Sequence, residues 1–258
     1  MNPVDSHVSA PTNLLPKGQL GYILPTRVGD SIHYQFYRSC PPDMFLIAYP
    51  INLGAFSPEG VEAALESFWP AFDFLARRKV DRIVQGGIPV SAMVGRKRIL
   101  SFLDEAAKRS SIIATADFEE SIEALKHLGC RKIAMAAKWD DMLMGRVGEY
   151  LRDGGLEPLG YASEAHTAPQ VMEVNLQEGI DLAIALGRKA FKENPNADAV
   201  LLGGGAWLSL AAIPVLEAEF GRPVVANPAA TYWAAMKQMG RCSPQSGFGM
   251  LIDSLRPA

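Results

Sequence analysis

Cysteine is scarce in this sequence, with only Cys40, Cys130 and Cys242 among 258 residues. Three thiols, far apart and without metal-ligand spacing, argue against a disulfide framework and fit a reducing compartment. Histidine is almost as sparse. His7, His33, His127 and His166 are scattered with no paired spacing, so no metal site is expected. No apolar run reaches the ~18 residues of a membrane span, and Met1–Lys17 lacks the apolar core of a signal peptide. Long basic stretches are missing too: Lys+Arg 25 against Asp+Glu 28 give a net charge of −3. The clusters Arg77-Arg78-Lys79 and Arg96-Lys97-Arg98 read as solvated helix ends, so a phosphate backbone would find little to hold. Neither a Gly-x-Gly-x-x-Gly nor a phosphate-loop pattern occurs, and no cofactor is expected. These absences predict a cytoplasmic protein with no membrane or nucleic-acid partner; they leave open whether it forms a homo-oligomer.

What is present is a pattern written twice. The run Asp81 to Ser91, with Gln85-Gly86-Gly87 at its centre, returns as Asp198 to Leu208, centred on Gly203-Gly204-Gly205. Each copy reads as a short buried strand that ends in glycines and runs into a helix, and in open α/β sheets that end of a strand is where ligands bind. The composition, 48% hydrophobic and 21% charged, is that of an ordinary globular protein.

Strand-like runs alternate with helical ones throughout. Strands are expected at 20–25, 45–51, 82–86, 111–115, 131–138, 156–162, 199–203 and 223–226, and helices at 58–78, 94–109, 118–128, 141–153, 175–193, 208–220 and 228–239. Such alternation means parallel sheets covered by helices. The predicted fold class is therefore α/β, as two pseudo-symmetric lobes, each a short, mainly parallel sheet flanked by helices, with a ligand cleft between them. A loose arm is expected over 1–18, an N-terminal lobe over 19–116 with 229–258 crossing back onto it, and a C-terminal lobe over 117–228.

In that arrangement the strand tips meet in the cleft. Backbone N–H groups of Gly86 and Gly87, and of Gly203, Gly204, Gly205 and Ala206, are candidates for holding a carboxylate, unless the glycines only make tight turns. Thr26 and Arg27 follow the first strand, and Arg27 would pair with a carboxylate or form a surface salt bridge. Asn52 and Asn227 are suited to orienting a ligand, and Tyr49, Trp139 and Trp207 to lining the cleft or packing core. Neither glycine tip carries a nucleophile or base. Lys138 and Asp140 are the candidate proton-handling groups: a partly buried lysine has a depressed pKa, whereas the plainer reading is that Lys138 is solvated and Asp140 or Asp141 caps the next helix. His33 and Tyr34 are expected in a loop beside the cleft.

The blocks Leu20 to Pro25, Asn52 to Gly60, Leu128 to Ala134, Leu156 to Gly160, Asp198 to Gly205 and Arg222 to Trp233 carry a resemblance over nearly the whole chain. The chain resembles the aspartate/glutamate racemase superfamily, in its branch of arylmalonate decarboxylases and maleate cis-trans isomerases. That resemblance implies a pair of lobes clamping a small carboxylate. It also implies two facing cysteines, of which the decarboxylases keep the second; matched block to block, those positions fall on Gly87 and Gly204. The decarboxylases' hydroxyl positions fall on Ile88 and Pro89, and their tyrosine on Trp139. The expectation is a cofactor-independent enzyme acting on a small carboxylic acid without a catalytic cysteine. Its alternative is a catalytically inactive carboxylate-binding protein of the same fold.

Overall fold

The computed structural model describes residues 15–242 and 246–255. Most of the expected arm, residues 1–14, lies outside them, and Gly18 already belongs to the first strand.

The first half runs β1 (Gly18–Leu24), α1 (Asp30–Ser39), β2 (Met44–Pro50), α2 (Pro58–Leu65), α3 (Phe68–Arg77), β3 (Arg82–Gln85), α4 (Ile88–Val94), α5 (Arg96–Arg109) and β4 (Ile113–Ala116). After α6 (Asp117–His127) the second half runs β5 (Lys132–Ala137), α7 (Asp141–Asp153), β6 (Glu157–Ser163), α8 (Ala168–Glu173), α9 (Leu176–Glu193) and β7 (Ala199–Leu202). A 3-10 turn, Ser209–Ala211, leads into α10 (Ala212–Phe220), β8 (Val224–Ala226), α11 (Asn227–Gln238) and α12 (Met250–Asp253). The two sheets have the same order, β2-β1-β3-β4 and β6-β5-β7-β8, with every pair parallel. The repeat seen in the sequence is thus a repeat of topology.

Strand alternation divides the core. Leu20, Tyr22 and Leu24 of β1 and Val84 of β3 join one large cluster with β5, β7 and α11, whereas Ile23 and Ile83 face a second cluster with α2 and α3. A period of two assigns each side chain to its face. Helix starts follow local chemistry: Ser57 accepts from Gly60 N ahead of Pro58, and Thr167 and Gln170 form a capping box.

Several boundaries differ from expectation. The helix predicted over 58–78 is two helices, because Pro70 has no N–H to continue the ladder across Glu66 and Ser67. The one predicted over 94–109 is preceded by α4, which Gly95 ends at φ 84°. The loop expected around His33 and Tyr34 is helix α1, which buries Ile32 and Phe36 one turn apart. Helix α11 leaves the second sheet and reaches the first half: Tyr232 Oη donates to Ile32 O at 2.7 Å, and Gln238 Oε1 accepts from Arg82 Nη1 at 3.0 Å. Among the described residues no helix is long and apolar enough to cross a membrane.

Candidate functional site

A cavity of about 50 Å³ lies at the carboxyl ends of strands from both sheets. Pro25, Gly87 and Asp117 reach it from the first sheet, and Lys138, Trp139 and Gly203 to Ala206 from the second. Leu24, Val28, Ile32, Leu53, Phe56 and Pro89 make much of the remaining wall apolar.

The two glycine tips are not equivalent. At the first, Gly86 N donates to Ile23 O at 2.9 Å and Gly87 N to Asp117 Oδ2 at 2.7 Å, so both amides are spent inside the protein. At the second, Gly203 N donates to Ala136 O at 2.8 Å, but the N–H groups of Gly204, Gly205 and Ala206 find no protein acceptor among the described residues. Their carbonyls are tied down instead. Gly204 O accepts from Trp207 Nε1, Gly205 O from Ser31 Oγ and Ala206 O from Lys138 Nζ, each at 2.9 Å. In a trans peptide the N–H lies opposite the preceding carbonyl, so these bonds fix the directions of the Gly205, Ala206 and Trp207 amides. A donor row held this way stabilises negative charge without reorganising. The conformation needs glycine: φ is 91° at Gly204 and 100° at Gly87, a region costly for L side chains.

Lys138 follows β5 directly and is 2% exposed. Its ammonium sits over the Trp207 ring, 5.0 Å from the centroid, and burial lowers its pKa to about 8, with Glu178 acting in the opposite sense. One of its three donors is used by Ala206 O.

Not every expected residue arrives. Thr26, Gly87, Trp139, Gly203, Gly204, Gly205 and Ala206 line the cavity with Lys138. Asp140 does not: it is exposed, and its Oδ1 accepts from Leu143 N at 2.9 Å as the N-cap of α7, which corrects the proton-handling expectation. Arg27 and Asn52 are exposed and hydrogen-bonded to each other outside the lining. Tyr49 packs against Phe74, ring centroids 5.3 Å apart. Gly86 lies beneath the Tyr22 ring, and Asn227 is buried, with Nδ2 reaching Asp117 O and Ser121 Oγ at 3.3 Å. Trp207 is buried beside the cavity loop instead of lining the cavity. The thiols are elsewhere: Cys40 and Cys130 are buried with raised pKa values from desolvation, and no cysteine lines the cavity.

Two residues were not anticipated. Asp117, at the tip of β4, is completely buried; Tyr22 Oη donates to its Oδ2 at 3.0 Å, while Oδ1 has no partner. Burial outweighs its hydrogen bonds and raises its pKa to about 6. An aspartate two residues after the strand expected over 111–115 was the available signal, hidden because an acid there also reads as a helix start. Gln35 on α1 donates to Trp207 O at 3.1 Å and accepts from Leu210 N at 3.0 Å, bracing the loop after β7 from the other half.

The comparisons with known proteins agree with this architecture. A family profile described as "Arylmalonate decarboxylase" matches residues 22–252. The arylmalonate decarboxylase of Bordetella bronchiseptica is 30% identical over 227 residues, which span 82% of this chain and 88% of that protein. A liganded arylmalonate decarboxylase double mutant, one glycine exchanged for cysteine and one cysteine for serine, superposes with a TM-score of 0.82 at 26% identity, covering 92% of this chain and 99% of its own. A maleate isomerase from Pseudomonas putida reaches a TM-score of 0.79 at 16% identity, over 93% of this chain and 99% of its own, a likeness of fold.

Proposed function

Because the chain belongs to the arylmalonate decarboxylase family, we propose that it is an enzyme that binds a small carboxylic acid on the amides of Gly204, Gly205 and Ala206 and works without a catalytic cysteine. The observation that carries this reading is that the N–H groups of Gly204, Gly205 and Ala206 find no protein acceptor among the described residues, while the carbonyls that share peptide planes with the Gly205 and Ala206 amides are pinned by Trp207 and Ser31. Negative charge that develops on the carboxylate as it becomes enolate-like is met by these donors. Lys138 supplies the proton transfer. With a pKa of about 8 it has both protonation states within reach near neutral pH, which suits general acid-base work. No cofactor is assigned.

Glycine at both tips favours a second reading, a catalytically inactive carboxylate binder, since Gly87 and Gly204 supply neither acid nor nucleophile. One set of measurements separates the two. Purified protein is incubated with aryl- and alkylmalonates, maleate and the matching monocarboxylic acids in heavy water, and loss of carboxylate, isomerisation and deuterium uptake at the α-carbon are followed. Turnover with at least one acid, reduced at least about 10²-fold in Lys138→Ala, is expected. Thermal stabilisation by the acids without turnover supports the binder, and neither effect with any acid overturns both readings.

A further inference from the structure

Resting on that carboxylate-binding reading, we propose that the site is selective for a single carboxylate with an apolar remainder and discriminates against dicarboxylates. The glycine amides and wall hydroxyls that could have served a second carboxylate at the first tip are spent. At the first-lobe end the N–H of Gly86 belongs to Ile23 O and that of Gly87 to Asp117 Oδ2. Pro89 has no N–H at all. The hydroxyls in the wall are committed too: Tyr22 Oη donates to Asp117, Thr26 Oγ1 to Val28 O at 2.7 Å and Ser31 Oγ to Gly205 O. Around them stand Leu24, Pro25, Leu53 and Phe56. A carboxylate placed among them would lose its hydration and find none of these groups free, which is costly.

Charge acts in the same direction. Asp117 lies under this end of the cavity, and the titratable groups facing it are Tyr22 from β1, Glu120 from its own helix and Tyr150 from α7. None is a cation. The nearest positive charge of that cluster, Arg82 on β3, is committed to Glu120 Oε1, with Nε at 2.9 Å and Nη2 at 2.7 Å. At neutral pH the ionised Asp117 therefore repels a second anion, while the free amides and Lys138 attract the first at the other end. The wild-type relatives' substrate names, arylmalonate and maleate, both denote dicarboxylates, so the proposal separates this chain from what its family membership would suggest.

Matched acids test it. Isobutyrate and methylmalonate differ by a methyl replaced with a carboxylate, and phenylacetate and phenylmalonate differ by one added carboxylate. Calorimetric titration near neutral pH is expected to show each monocarboxylate binding at least about tenfold more tightly than its partner. The gap should narrow in Asp117→Asn, which keeps an acceptor for Gly87 and Tyr22 but removes the charge. Should that variant fail to fold, the wild-type gap between each pair at neutral pH still decides the selectivity. A dicarboxylate that binds as tightly as its partner, or is turned over at neutral pH, overturns this selectivity and leaves the carboxylate site standing. If no acid of the four binds, the carboxylate site falls with it.

Discussion

Asp117 and Lys138 are the carboxylate and the ammonium that meet the cavity, and burial shifts their pKa values in opposite directions. Asp117 rises from 3.8 to about 6, so its contribution to stability is full below its unfolded value and is lost as pH rises through about 6. Lys138 falls from 10.5 to about 8, so its contribution is full above its unfolded value and is lost as pH falls through about 8. Denaturant unfolding across this range should show wild type losing stability relative to Asp117→Asn between about pH 4 and about pH 6, and gaining it relative to Lys138→Met above about pH 8. An unchanged difference across either window would remove the buried-charge account of that residue.

Arg82 shows how one element is anchored. It belongs to β3, a fully buried strand, and carries its guanidinium into an ion pair with Glu120 of α6, the two side chains only 8% and 1% exposed. Oε2 of Glu120 has no partner, and Gln238 of α11 takes the remaining Arg82 contact, so β3, α6 and α11 share one polar knot. Such a pair adds little over an apolar replacement, but removing one member strands the other charge. Arg82→Ala is expected to lower equilibrium stability by about 3–5 kcal/mol, and Arg82→Ala combined with Glu120→Leu to recover part of that loss. Equilibrium urea unfolding of the single and double variants measures both. No recovery in the pair would mean that Arg82 acts through packing.

Across the whole molecule the glycine loop after β7 belongs to both halves. Its residues follow β7 of the second sheet, yet Ser31 and Gln35 that brace it come from α1 of the first half. Gln35→Leu would leave Leu210 N and Trp207 O without these buried partners, a cost of about 1–3 kcal/mol for each group. The expected result is a lowered unfolding midpoint together with weaker carboxylate binding, although Gln35 does not line the cavity. Unchanged affinity in a destabilised variant would show that the bracing serves stability alone.

The alternation of buried apolar runs with helical segments, and the glycine pattern repeated at the tips of β3 and β7, were enough to reach two pseudo-symmetric lobes, each with a mainly parallel sheet, and to put Gly204, Ala206 and Lys138 at strand tips; the matching strand order came from the structure. Local signals of period, capping and turn chemistry carry that information because each depends on near neighbours in the chain. Whether an amide is free or spent depends on partners far along the chain. Gly87 meets Asp117 thirty residues on, and Gly205 meets Ser31 from 174 residues away. Two tips that read alike as sequence therefore differ in character, the Gly87 amide bound to a buried carboxylate and the Gly204 to Ala206 amides without a protein acceptor among the described residues, and only the packing of the two halves made them so.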